Sequence, residues 1–347
     1  SIEAGRNIQM STETQEAGSP ALIDRFGRHV DYVRISVTDR CDFRCVYCMN
    51  EDMRFVPRAR LLTLEEILFV ARAFTELGVR RIRLTGGEPL VRRNITWLLK
   101  EIHDLPGLDE LLLTTNGSQL ARLSGKIHDA GVRRINISLD SLRPERFRRI
   151  TRNGDLGKVL SGIEVARSAG FDRIKINTVI LKHYNDDEII DLLRYVIAHS
   201  MDISFIEEMP LGVIGDHDRA ASYYSSDDIR RDIERHFPLQ ASSEKTGGPA
   251  RYFRIPETET RVGFISPHSH NFCSTCNRVR LTTEGRLLLC LGQEHSVDLR
   301  HVVRSWPGDI DILKQAIIDA MDLKPEGHDF QLDSRPVILR HMNVTGG

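Results

Sequence analysis

From residue 34 to residue 207, short β-rich runs alternate with longer amphipathic ones, and this alternation restricts the fold more than any single residue does. Residues 34–37, 81–85, 110–114, 134–138, 174–179 and 203–207 read as strands. Helical periodicity occupies 63–77, 94–105, 119–130, 156–169 and 187–200. The first helix opens on the capping-box pair Thr63 and Glu66 and stops at Gly78. Strands joined by crossover helices run parallel in one sheet. Six are too few to close an eight-stranded barrel, so the fold class is α/β, with an incomplete barrel and a flat doubly wound sheet both open.

Polar residues indicate the functional edge. Thr85-Gly86-Gly87-Glu88-Pro89, Thr114-Thr115-Asn116-Gly117, Ser138-Leu139-Asp140 and Glu207-Glu208-Met209-Pro210 each end a strand, and that edge carries the chemistry in barrels and open α/β sheets. After Pro210 the alternation fails. A helix near 226–237, a loop rich in Gly, Pro and Ser at 241–250, and strands at 278–282 and 286–289 across Thr283-Glu284-Gly285 suggest a smaller C-terminal domain. The expected division is a flexible segment 1–28, a barrel domain 29–210 and a C-terminal domain 211–347.

A net charge of −1 with 28% charged residues gives no reason to expect nucleic acid or an anionic membrane as the main partner. The first 28 residues lack the apolar run of a signal peptide or membrane span, so a soluble cytoplasmic protein is expected, with Met10 marking an alternative start or the end of a fusion scar.

All six cysteines fall into two groups, Cys41, Cys45 and Cys48, then Cys273, Cys276 and Cys290. Clustered thiols in a reducing compartment hold metal more often than they form disulfides. Structural zinc takes four ligands, and neither group supplies four cysteines. His268 or His270 would complete a zinc site for the second group. The first group has no histidine in its loop, and three thiolates suit a 4Fe-4S cubane with one iron open to another ligand. Arg278 and Arg280 follow Cys276 at strand spacing and share a face. Arg34, Arg83 and Lys175 lie on barrel strands, Lys175 on the same face as Asn177. Facing inward, such cations require an anion.

The CxxxCxxC run with Tyr47 before its last cysteine, set after the first strand and followed by Thr-Gly-Gly-Glu-Pro after the second, resembles the radical S-adenosylmethionine enzymes. In that family the open iron is chelated by S-adenosylmethionine, whose reductive cleavage gives a 5′-deoxyadenosyl radical. The resemblance implies that Cys41, Cys45 and Cys48 hold this cluster, that Gly87 meets the methionine amine, and that Tyr47, Ser138 and Met209 line the cofactor site. The second group implies an auxiliary 4Fe-4S cluster whose own open iron binds substrate. The Asn271 to Arg280 run, Thr-Thr-Asn-Gly, Phe205-Ile206-Glu207 and the ending Thr345-Gly346-Gly347 narrow the resemblance to the GTP 3′,8-cyclase family of molybdenum cofactor biosynthesis, from about Phe26 onward.

This implies an incomplete (β/α)6 TIM-like barrel with a C-terminal iron-sulfur extension, the two clusters facing each other across its mouth. GTP is the implied substrate, contacted by Arg34, Arg83, Thr114, Lys175, Arg278, Val279 and Arg280, with Arg278, Arg280, Gly346 and Gly347 also in catalytic roles. A low-potential electron donor, a homodimer and a downstream cyclic pyranopterin monophosphate synthase complete the implied partners. Two positions depart from the pattern. Asp42 stands where asparagine is common, and Ser204 stands where an arginine often precedes Phe-Ile-Glu, so one phosphate contact of the pattern is missing here. Rival readings are another radical enzyme with an auxiliary cluster and a zinc-stabilised binding protein without catalysis.

Overall fold

The computed structural model describes residues 21–212, 214–270, 272–292, 295–328, 330, 341 and 342. A small antiparallel ribbon, β1 (Leu22–Ile23) and β2 (His29–Val30), precedes the alternating region. There β3 (Tyr32–Ser36), β4 (Arg81–Thr85), β5 (Glu110–Thr115), β6 (Arg134–Ser138), β7 (Arg173–Val179) and β8 (Asp202–Ile206) lie side by side in chain order, each pair parallel. A doubly wound sheet would reverse its order partway. Strictly sequential order winds every crossover the same way, so one sheet face is covered by helices and the other encloses the interior of a partial barrel.

The covering helices are α1 (Leu64–Glu76), α2 (Ile95–His103), α3 (Leu120–Asp129), α4 (Pro144–Thr151), α5 (Leu156–Ser168) and α6 (Ile189–Ala198). The capping box at Thr63 and Glu66 forms with both of its hydrogen bonds. Strand alternation sorts the residues. Val33, Ile35, Ile82, Leu84, Ile135, Ile137, Ile174 and Ile176 enter the core beneath the helices, while Arg34, Arg83, Asn136, Lys175 and Asn177 line the interior cavity.

The sequence reading did not foresee α4. Pro144 at its first turn is an ordinary start signal, but four arginine or glutamate side chains in eight residues hide the apolar face. This helix supports the cysteine loop. Arg44 N donates to Thr151 O (2.9 Å) and Val46 N to Ile150 O (2.9 Å), while the Phe43 and Phe147 rings meet edge to face at 5.8 Å.

After β8 come α7 (Arg219–Ser222), α8 (Ser226–Glu234), β9 (Gln240–Ala241), β10 (Arg251–Arg254) and β11 (Arg261–Ile265), then β12 (Arg278–Leu281), β13 (Arg286–Leu288), β14 (Ser296–Asp298), α9 (Leu299–Ser305) and α10 (Ile310–Met321). The β12–β13 hairpin forms as its turn residues indicate. These strands extend the barrel sheet rather than build another. β11 adds parallel to β8 at one edge and β12 adds parallel to β3 at the other, giving a twelve-stranded sheet among the described residues. Both open edges are thereby paired, and residues 211 onward bring side chains to both sides of the mouth. Among the described residues, no helix is long and apolar enough to cross a membrane.

Candidate active site

The loop from β3 to Cys41 is tied to the turn after β4. Gly87 N donates to Thr38 O (2.8 Å) and Glu88 N to Arg40 O (2.8 Å). A Cβ on Gly87 would lie 2.3 Å from the Arg40 carbonyl oxygen, so only glycine permits this approach. Gly87→Ala is expected to cost about 1–3 kcal/mol by forcing the two backbones apart, read as a lower thermal midpoint of the anaerobically purified protein. An unchanged midpoint would show that the loops separate freely.

Cys41, Cys45 and Cys48 all line a cavity of about 230 Å³ inside the barrel mouth, together with Gly87, Ser138 and Met209. The loop folds back through Cys48 N donating to Cys45 O (3.0 Å). The Cys41 sulfur accepts from Phe43 N (3.3 Å) and Asn116 Nδ2 (3.7 Å). Burial, then the Glu88 carboxylate, push the Cys41 thiol far up, and burial with Cys48 and Asp140 does the same for Cys45. Such thiols ionise when a metal centre's positive charge binds them.

The surrounding polar groups hold one another. Glu88 is fully buried and accepts from Thr115 Oγ1 (2.8 Å), Asn116 N (2.6 Å) and Leu90 N (3.1 Å), with burial raising its carboxyl to about 7. Tyr47 turns inward and donates to Asp140 Oδ2 (2.6 Å), a carboxyl that burial raises to about 6. Asp42, where the family pattern has asparagine, accepts from Asn116 Nδ2 (2.7 Å) and from the Ser118 hydroxyl.

Three arginines stand in one row across adjacent strands, because Arg280 of β12 registers with Arg34 of β3, which registers with Arg83 of β4. All three line the cavity. Arg83 donates to Thr114 Oγ1 (3.2 Å) and, through Nε, to Tyr32 OH (2.7 Å). Burial alone would raise the Tyr32 phenol, but Arg83 and Arg34 bring it down to about 8. Burial lowers the Arg34 guanidinium to about 10 despite Tyr32, with Arg83 and Arg278 adding to the fall, and burial with Arg34 and Arg278 lowers Arg280 well below its ordinary value. A row of buried cations that disfavour one another favours an anion among them.

Across the cavity, Lys175 Nζ donates to Tyr252 OH (3.0 Å). Tyr252 comes from β10 and packs beside Ser204, where the family pattern has arginine. A Cβ on Gly263 would lie 2.7 Å from Ser204 Oγ and 2.9 Å from the Tyr252 ring. Asn177 Oδ1, on the cavity wall, is buried without a hydrogen-bond partner among the described residues. That orphaned acceptor and the cation row mark a polar ligand site.

The second triad lines an adjoining cavity of about 90 Å³, and the two cavities share Arg34, Met209, Pro249 and Arg280 as a common wall. Arg278 lines only this second cavity, its guanidinium 5.3 Å from the Phe272 ring centroid. Val279 borders the cavity too, but its side chain belongs to the core. Burial would raise the Cys276 thiol, yet the charges of Lys324 and Arg278 bring it below its ordinary value.

Among the described residues, no three histidine, cysteine or carboxylate side chains are gathered closely enough for a single metal ion. His270 instead meets Asp227 (2.9 Å), and His268 packs against the Tyr223 and Phe330 rings. Each triad lines its own cavity, and three thiolates are the donor set of a 4Fe-4S cubane with one iron left open. Gly346 and Gly347 lie outside the described residues.

Sequence reasoning gave no site role to Tyr32, Asn136, Tyr252 or Lys324. Asn136 occupies an inward position of a recognised strand, and Tyr32 lies two residues before the strand read at 34–37, on the face of Arg34, so the two-residue period could have found both. Tyr252 and Lys324 arrive from segments with no sequence signal.

A partial β/α barrel with a CxxxCxxC loop at the C-terminal end of its first strand defines the radical S-adenosylmethionine class. A model described as Radical SAM superfamily matches residues 35–196, and one described as Molybdenum Cofactor Synthesis C matches residues 201–330. The chain is 62% identical to a GTP 3′,8-cyclase of Pseudomonas entomophila strain L48 and 60% identical to one of Pseudomonas putida strain W619, covering 96% of this chain and 100% of each relative. Streptococcus suis SuiB bound to S-adenosylmethionine shares the fold, with a TM-score of 0.59 and 13% identity over 85% of this chain and 65% of SuiB. The chain belongs to the GTP 3′,8-cyclase family.

Proposed function

We propose that this chain is a GTP 3′,8-cyclase acting early in molybdenum cofactor biosynthesis. The observation that carries the reading is the common wall. One cavity holds the first cysteine triad, the next holds the second, and Arg34 and Arg280 stand between them. Family membership supplies the reaction: a cluster held by Cys41, Cys45 and Cys48 would, with S-adenosylmethionine and one electron from the donor, supply the radical chemistry that removes hydrogen from C3′ of GTP, C3′ would bond to guanine C8, and one further electron and one proton would complete (8S)-3′,8-cyclo-7,8-dihydroguanosine 5′-triphosphate.

The chain's own residues bind and orient. Cys41, Cys45 and Cys48 hold the first 4Fe-4S cluster, with Tyr47, Gly87, Ser138 and Met209 around S-adenosylmethionine. Cys273, Cys276 and Cys290 hold the second. Arg34, Arg83, Thr114, Lys175, Arg278 and Arg280 surround GTP, with Val279 contributing backbone. Gly346 and Gly347 belong to the same proposal as a tail reaching the site. We also assign the barrel chemistry to residues 29–210 and the auxiliary cluster to 211–347, which the spans of the two family models support. A low-potential electron donor, a homodimer, a downstream cyclic pyranopterin monophosphate synthase and a cytoplasmic setting complete the proposal.

The test is anaerobic incubation of the reconstituted protein with GTP, S-adenosylmethionine and a strong reductant. Cyclised nucleotide and about eight irons with matching sulfide per chain, the sum of two cubanes, are expected. Zinc without sulfide, or no cyclised product, would overturn it. Lys175→Ala and Arg278→Ala should each weaken GTP by about 1.5–3 kcal/mol, the range for hydrogen bonds to charged groups, while guanosine is little affected. Equal losses for both ligands would move these residues away from the triphosphate.

A further inference from the structure

Lys324 follows α10 and is 1% exposed. A buried ammonium is costly unless its charge and all its donors are answered. Here Nζ donates to Leu289 O (2.8 Å), Arg278 O (3.1 Å) and Cys276 Sγ (3.5 Å). Both carbonyls are neutral, so of the three partners only the sulfur can carry a compensating negative charge. The three acceptors also bracket the second triad. Arg278 begins β12 just beyond Cys276, and Leu289 immediately precedes Cys290.

The neighbouring backbone serves the same triad. A Cβ on Gly327 would lie 3.6 Å from the Cys273 sulfur. Arg28, paired with Asp24 at 2.6 Å, donates to Cys273 O (2.7 Å), Pro325 O (2.5 Å) and Glu326 O (3.0 Å). The segment 324–327 is thus fixed at both ends beneath the cysteines. The first triad sits in the opposite environment, beside Asp42, Glu88 and Asp140.

We propose that Lys324 is a positioning residue of the second triad, and that its fixed charge against Cys276 makes the cluster bound there easier to reduce than it would be beside a neutral side chain. This rests on the reading that the second triad holds a cluster. Reduction adds one electron to that cluster, and a cation in a poorly screened site stabilises the more negative state. Removing the charge is expected to lower the equilibrium constant for one-electron reduction at least tenfold, a downward shift of about 59 mV or more.

The test compares full-length parent, Lys324→Met and Lys324→Arg holoproteins by iron analysis and redox titration followed by electron paramagnetic resonance. The first cluster is recognised by its response to S-adenosylmethionine and serves as internal standard. Expected is a lower midpoint for the second cluster in Lys324→Met, an unmoved first cluster, and a midpoint near the parent's in Lys324→Arg. If Lys324→Met keeps its iron and neither midpoint moves, the proposal is overturned. Should Lys324→Met lose the second cluster, Lys324→Arg decides: retained iron with the parent midpoint supports the charge role, and lost iron or a lowered midpoint refutes it. A parent lacking the second set of irons would instead refute the underlying cluster assignment.

Discussion

Cys45→Ser is expected to abolish 5′-deoxyadenosine formation and cyclisation together, leaving about four irons per chain from the second cubane. The Cys45 thiol lies between Cys41 and Cys48 and near Asp140, in surroundings that hold it neutral until a metal centre binds. Serine there supplies a harder and far less acidic ligand, and two thiolates cannot fix three irons. The rest of the site should survive, because the loop is held by backbone bonds from Arg44 and Val46 to the end of α4. Single-turnover assays with S-adenosylmethionine and reductant read the result directly. Formation of 5′-deoxyadenosine at the parent rate would show that the first triad is not the radical centre.

Cys276→Ser should separate the two halves of the reaction. The first cluster and cofactor binding persist, while cyclisation falls on the order of a hundredfold, the effect of misplacing a bound substrate by about an ångström. The two cavities share Arg34, Arg280 and Met209, so losing the second cluster disturbs one wall of the substrate site without touching the cysteine loop. Cofactor cleavage should then continue uncoupled from product. If GTP affinity and cyclisation stay at parent levels, the second triad has no part in holding substrate.

The most legible parts of the sequence were those fixed by local chemistry. Thr63 and Glu66 announce α1 because both capping bonds close within one turn. Strand ends were found within a residue or two, since a period of two separates Ile82 and Leu84 from Arg83 wherever the strand lies. The six cysteines fall into two groups by spacing alone, and each group lines one cavity. Helix α4 escaped because its charged residues mask a narrow apolar face that matters mainly to Phe43 and the cysteine loop.

The sequence by itself determined a parallel α/β fold, two cysteine triads and a set of cations at alternate strand positions, because each depends on residues close together in the chain. Only the tertiary structure decided how they combine. The arginine row exists because register aligns Arg280 with Arg34 and Arg34 with Arg83, and register across strands far apart in sequence is set by packing, not by local pattern. The same holds for the later strands, which pair with both barrel edges and bring Tyr252 to Lys175 on one side and Arg280 to Arg34 on the other. Lys324 is the extreme case. Nothing nearby in sequence distinguishes it from a solvated lysine, and its meaning comes from burial against Cys276, 48 residues earlier.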